Sequence, residues 1–240
     1  MFTSDHSFRQ YYQELDEARA RVMAMGELVE RQIHAAIDAL ATGDLDLMDR
    51  VDKDDGRVNA YEISIDQACT LIIARRQPAA VDLRLLMGVI KIVTDLERCG
   101  DKAAQIARKA KSIFSRDVVR IPCSSGIGEI GRLAEGLLHA ALSALAQLDA
   151  VAAASISRED LEIDHQCQAI TRQLVTFMME DPRMISTAFE ILFIAKAIER
   201  IGDHAKNIAE QVIYITRGVD VRHVAYDQLA REAKMPDDPQ

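Results

Sequence analysis

The chain of 240 residues contains no tryptophan, only 5% aromatic residues, five prolines and eleven glycines. So few turn-formers, set among residues that mostly favour helices, argue against a strand-rich sandwich or barrel and for long helices. The four cysteines, Cys69, Cys99, Cys123 and Cys167, are far apart and form no C-x-x-C pair. Neither a zinc ribbon nor a redox dithiol is signalled, and reduced thiols in a cytoplasmic protein are the expectation. Long apolar runs are missing too: stretches such as Leu85 to Ile90 are too short to span a bilayer, and the N-terminus lacks the basic and apolar regions of a signal peptide. Positive charge is in deficit, with a net charge of -9. That argues against nucleic acid as a partner, because binding a phosphate backbone usually requires a basic face.

What the chain does have is a string that occurs twice, Glu97-Arg98-Cys99-Gly100-Asp101 and Glu199-Arg200-Ile201-Gly202-Asp203. Around it, residues 25 to 55 match residues 130 to 160 without a gap at an offset of 105. Gly26 pairs with Gly131, Glu30 with Glu135, His34 with His139, Asp44 with Asp149 and Asp55 with Asp160. Such a period signals tandem copies of one unit of about 105 residues. Pro78 and Pro182 fall at equivalent points in the two copies, and Pro122 lies between them. Helices are predicted at roughly 7–41, 45–76, 80–114, 126–148, 156–179 and 184–217, three per copy. The expected architecture is all-α, two tandem three-helix bundles over 1–117 and 118–218. Arg116 to Gly126 would connect them, Gly218 would cap the sixth helix, and a frayed tail would cover 219–240.

The third helix of each copy carries an apolar seam spaced four and three: Val89, Val93, Leu96, Gly100, Ala103, Ala107 and Ala110, then Ile191, Ala195, Ile198, Gly202, Ala205, Ala209 and Val212. This is the pattern of left-handed helix packing. Glycine inside a helix costs about 1 kcal/mol relative to alanine, so Gly100 and Gly202 imply close approach of a neighbouring helix. At 100° per residue Glu97 and Asp101 lie about 80° and about 120° from Val89, on one shoulder of the seam, and Arg98 points outward. Carboxylates four apart on a helix can ligate one cation or bridge two, and hard oxygen donors suit magnesium, calcium, manganese or iron. Two solvated acids beside a core are the plain alternative, since an exposed like-charge pair costs only about 0.2–0.5 kcal/mol.

The strings Gln77-Pro78-Ala79-Ala80-Val81-Asp82-Leu83-Arg84, Glu97 to Asp101, Glu180-Asp181-Pro182-Arg183 and Glu199 to Glu210 resemble the PhoU family of phosphate-signalling regulators, over about Phe8 to Gly218. The resemblance implies two three-helix bundles, each with an E(D)-x-x-x-D motif, and multinuclear metal clusters at those motifs. Glu97, Asp101, Glu199 and Asp203 are then the expected metal ligands, for a divalent or trivalent ion such as iron, zinc, manganese or magnesium. It also implies a non-enzymatic, homodimeric adaptor in the cytoplasm, a negative regulator of the phosphate-starvation response. Its partners would be the ATPase subunit of the phosphate ABC transporter and a sensor histidine kinase. Additional ligand candidates are Asp54, Asp55, Glu159, Asp160 and Asp164, the last paired with Asn59 in the other copy.

Glu30 with His34, and Glu135 with His139, sit at i,i+4, a spacing that suits either metal or a hydrogen-bonded pair along one helix. Glu162 and His165 form an E-x-x-H, which ferritin-like bundles need on two helices, but its counterpart lacks the histidine. A metal-dependent enzyme or ferritin-like protein is the competing reading, against which no Gly-rich phosphate loop and no G-x-S-x-G is found. A metal-free helical scaffold is the third.

Overall fold

The computed structural model describes residues 3–115, 122–222, 224 and 226–234. Six long helices follow in chain order: α1 Thr3–Thr42, α2 Leu45–Arg76, α3 Ala80–Phe114, α4 Ser124–Gln147, α5 Ala150–Glu180 and α6 Ile185–Arg217. A 3-10 turn over Pro182–Met184 precedes α6, and a short α7 spans Tyr226–Glu232. The fold class is all-α, as the sequence implies. Of the connector expected over Arg116–Gly126, residues 116–121 lie outside the described residues, and so do Pro236 and Pro239 of the tail.

Boundaries follow local chemistry. Asp44 caps α2 by accepting the Leu47 N–H at 2.9 Å, and its counterpart Asp149 caps α5 by accepting the N–H groups of Val151 and Ala152, both at 2.9 Å. The repeated cap starts α5 at Ala150, six residues before the expected 156. Gly218, in the left-handed region at φ 75°, ends α6 as predicted. The tail differs from the expectation of fraying. Val221, Leu229 and Ala233 are buried, and α7 packs on α5 because its apolar side chains have a face to cover.

Helices α1, α2 and α3 pack on one another, as do α4, α5 and α6, and the two sets join through α3 with α6 and α1 with α4. The α3–α6 contact is the most extensive in the protein. The result is a central group of four helices flanked by α2 on one side and α5 on the other.

Both joints are antiparallel and reciprocal. At the α1–α4 crossing a Cβ added to Gly26 would meet Leu142 Cδ1 at 2.8 Å, and one added to Gly131 would meet Ile37 Cδ1 at 2.7 Å. Those four residues are two pairs at the 105 offset, so each helix presents to its counterpart what the counterpart presents to it. That is the signature of a two-fold relation. At the α3–α6 joint, Cys99 Sγ lies 4.0 Å from the carbonyl oxygen of Ile201. Cys99 and Ile201 are the same position of the two motifs, so the pseudo-two-fold runs between them. The seam glycines are crowded from within their own halves: a Cβ added to Gly100 would meet Gln32 Oε1 and Val58 Cγ1, each at 3.1 Å, and one added to Gly202 would meet Asp160 Oδ1 at 2.8 Å.

These contacts predict opposite signs for one kind of substitution. Gly56→Ala, where nothing lies within 4 Å, raises stability by about 0.5–1 kcal/mol through helix propensity. Gly131→Ala costs about 1 kcal/mol net, because overpacking against Ile37 outweighs that gain, and adding Ile37→Ala relieves the crowding at the expense of a cavity. Urea unfolding of the three variants measures all of this.

Candidate metal-binding site

The two acidic motifs are carried by α3 and α6, and their Glu and Asp lie beside the joint rather than in it. Glu97 and Glu199 have side chains 18% and 22% exposed, while Arg98 and Arg200 point outward at 57% and 66%. Seam residues Leu96, Gly100, Ile198 and Gly202 are buried, so the helix geometry places the acids on the shoulder that faces the flanking helix.

Around the first motif the acids form a mutually repelling group. Burial pushes the carboxyl of Glu97 above its ordinary range, with added repulsion from Asp101, Glu62 and Asp55. Burial likewise raises Asp55, with Asp101 adding to it, and raises Glu62, with Asp66 and Asp101 adding to it. Asp66 is raised by burial alone. Helix α2 therefore contributes Asp55, Glu62 and Asp66 opposite Glu97 and Asp101 of α3. Glu62 and Asp66 were not among the sequence candidates. Their counterparts at the 105 offset, Cys167 and Thr171, are not acids, so the repeat could not point to them. Their four-residue spacing, and the seven residues from Asp55 to Glu62, could have done so.

Around the second motif Asp160 is buried, at 2% exposure, and pushed up to about 6 by burial, with Asp164 and Asp203 adding to the effect and Lys206 opposing it. Burial also raises Asp164, with Glu199 and Asp203 contributing. Of the additional candidates, Asp55, Asp160 and Asp164 thus join the motifs, whereas Asp54 and Glu159 do not: Asp54 turns to Arg57 at 2.9 Å, and Glu159 is exposed.

The two groups differ in their counter-charges. Near the first motif Glu97 pairs with Arg98 at 3.6 Å, and Asp55, Glu62, Asp66 and Asp101 form no ion pair with any described residue. Near the second, Glu199 pairs with Lys196, Asp203 with Arg200 at 3.0 Å, and Asp160 with Lys206 at 3.6 Å, which leaves Asp164 without an ion pair among the described residues. The repeat counterparts of Lys196 and Lys206 are Thr94 and Ala104 at the motif offset of 102. Only one copy supplies its own ammonium groups.

These residues fit a hard cation as donors, most clearly at the first motif. Oδ1 atoms of Asp55, Asn59 and Asp66 are buried there with no hydrogen-bond partner, and carboxylates crowded beside few counter-cations gain from a metal ion what they lose to one another. Among the described residues no three His, Cys, Asp or Glu side chains are already arranged to hold one ion, so binding would draw α2 and α3 carboxylates together.

The sequence model of the PhoU domain matches residues 22–110 and again 127–212. The chain belongs to the PhoU family. PhoU of Escherichia coli K12, named a phosphate-specific transport system accessory protein, is 44% identical over 93% of this chain and 92% of its own length. A homologue so named from a Burkholderia species is 45% identical over 95% and 97%. The crystal structure of PhoU from Pseudomonas aeruginosa superposes with a TM-score of 0.84 at 42% identity, covering 87% of this chain and all of that one. The phosphate transport system regulatory protein PhoU from Streptococcus pneumoniae gives 0.80 at 26% identity, with 88% and 99% covered.

Two other candidate pairs resolve differently from the sequence reading. Glu30 and His34 do not pair along α1, nor Glu135 and His139 along α4. His34 Nδ1 lies 3.1 Å from Glu135 Oε1, and His139 Nδ1 lies 2.8 Å from Glu30 Oε1, so the pairs are exchanged across the α1–α4 crossing. Glu162 and His165 are exposed on α5, and Glu162 accepts from Gln166. Burial disfavours the thiolate at three cysteines: it pushes Cys69 up to about 11 and Cys167 up to about 12, and raises Cys99 well above the ordinary thiol range. No helix is long and apolar enough to cross a membrane among the described residues.

A carboxyl whose folded pKa lies above its unfolded value binds more protons in the folded state, so stability falls as pH rises through that interval. For Asp160 the interval runs from 3.8 to about 6. EDTA-treated protein is therefore expected to gain stability on acidification from pH 7 toward 4.5. Asp160→Asn should flatten that slope and raise stability at pH 7 by about 1–3 kcal/mol, read by urea unfolding across pH.

Proposed function

We propose that this protein is an accessory regulator of phosphate transport, a cytoplasmic adaptor that holds the phosphate-starvation response off when phosphate is plentiful. It would do so by coupling the ATPase subunit of the phosphate ABC transporter to the sensor histidine kinase, working as a homodimer and without catalysis of its own. The observation that carries this reading is near full-length similarity to proteins named phosphate-specific transport system accessory proteins. Support of a second kind comes from the surface. Ile185, Phe189 and Phe193 stand at four-residue spacing on α6, 40%, 47% and 46% exposed, an apolar row of the sort protein partners cover.

In this reading the first motif holds the metal more firmly than the second. Glu97 and Asp101, with Asp55, Glu62 and Asp66, would bind a hard cation and so fix the spacing of α2 and α3. Glu199 and Asp203 would bind more weakly, because Lys196, Arg200 and Lys206 already supply counter-charge. The metal's contribution is charge neutralisation between helices.

Two measurements test the proposal. In a strain lacking this gene, alkaline phosphatase is expected to rise severalfold at high phosphate and to fall again on complementation, and pull-down should recover transporter and kinase. Repression that survives the deletion, with neither partner recovered, defeats the adaptor reading. Elemental analysis of freshly purified protein is expected to find bound iron, zinc, manganese or magnesium, largely lost from the Glu97→Ala/Asp101→Ala variant and less affected in Glu199→Ala/Asp203→Ala. Equal metal in all three proteins would refute the ligand assignment.

A further inference from the structure

An open cleft of about 380 Å³ lies between α3, α6 and the chain leaving α6. Most of its polar groups are spoken for. Asp95 Oδ1 lies 2.8 Å from His204 Nδ1 and accepts the Asn207 side-chain amide at 3.1 Å. Lys91 sits over the Tyr214 ring, its Nζ 5.1 Å from the centroid, and Arg222 forks onto Asp220, with Nε 2.9 Å from Oδ1.

Two neighbouring residues of α6 are left over. Glu210 is 6% exposed and accepts no hydrogen bond from any described residue; Gln211 is 4% exposed, and its Oε1 is buried without a partner. A buried oxygen such as Gln211 Oε1 is rarely left in this state in native proteins, and Glu210 and Gln211 both line the cleft. What they lack is a donor. The cleft's own cations are engaged by Tyr214 and Asp220, so an anion finds no free partner. A single unpaired carboxylate beside one amide oxygen offers a metal ion too few ligands.

We propose that this cleft binds a compact organic cation, a guanidinium or primary ammonium group, with Glu210 as its counter-ion and Gln211 Oε1 as a second acceptor. The cation belongs either to a small molecule or to an Arg or Lys side chain of a protein. Its volume is within the range of small-ligand sites. The site lies where α3 meets α6 and where the chain departs toward α7, so an occupant touches all three. This rests on the cleft alone and stands or falls apart from the signalling role.

Proton linkage gives the site a second readout. The charged groups facing Glu210 are Lys206 on its own helix, Asp95 and Lys91 on α3, and Asp220 and Arg222 beyond α6. Burial, with Asp220 and Asp95 adding and Lys206 and Arg222 opposing, pushes its carboxyl up to about 7. A cation that requires the carboxylate must bind more tightly as pH rises from 6 to 8, releasing a proton.

The test is calorimetric titration of the full chain with agmatine, with the uncharged analogue N-(4-hydroxybutyl)urea, and with a capped Gly-Arg-Gly peptide. Expected is saturable binding of agmatine or of the peptide, at least tenfold tighter for agmatine than for the neutral analogue if the small molecule is the occupant. Binding of the peptide alone assigns the cation to a protein side chain. Glu210→Gln is expected to weaken binding at least tenfold and Glu210→Asp to retain part of it. Absence of saturable binding of both cationic probes overturns the proposal. So does a folded Glu210→Gln that binds like the wild type, or, should that variant not fold, a wild-type affinity that does not change between pH 6 and pH 8.

Discussion

The rest of the structure depends on one constraint: the two halves of a duplicated chain must satisfy each other across a pseudo-two-fold. At the α1–α4 crossing each half offers a glycine for the other's aliphatic side chain and a glutamate for the other's histidine. At the α3–α6 joint the seam of small and branched residues closes helix against helix, with Cys99 and Ile201 at the axis. Once these faces are consumed, the acids of each motif have one direction left, toward the flanking helix of their own half. The placement of the acidic clusters is thus a by-product of how the halves join.

Much of this was legible in the sequence. The four-and-three seam, the paired prolines and the repeat together imply six helices, and their order and most of their ends follow. The start of α5 was legible too, because Asp149 matches Asp44 and so must cap an equivalent helix; reading the pattern without the repeat put it six residues late. Burial of α7 was harder to see. Its sequence has too short a period to stand out, and what makes it helical is the surface of α5 that it covers.

Contacts between repeats were not legible, for a physical reason. Intrahelical spacing makes Glu30 and His34 look like a pair, and nothing in a linear pattern says that a second helix will cross there and exchange partners. Charge balance was similar. The two motifs read alike because they differ in none of their acids, whereas their electrostatics are set by Lys196 and Lys206 outside the motif and by Glu62 and Asp66 on another helix. A motif states which ligands are available, and its neighbours decide how much those ligands need an ion.

The axis position of the motif also bears on how such a chain can change. Two separate copies of a single repeat, meeting as a dimer, would have to place the same residue on both sides of the axis and would come apart on dilution. Joining them in one polypeptide makes the encounter intramolecular, equivalent to millimolar concentrations for short tethers. It also lifts the demand for identity. Cysteine can then face the backbone of isoleucine at the axis, and lysines can pair with the acids around one motif and not the other. The fused protein is one in which two acidic clusters descended from the same sequence no longer have to carry the same charge balance.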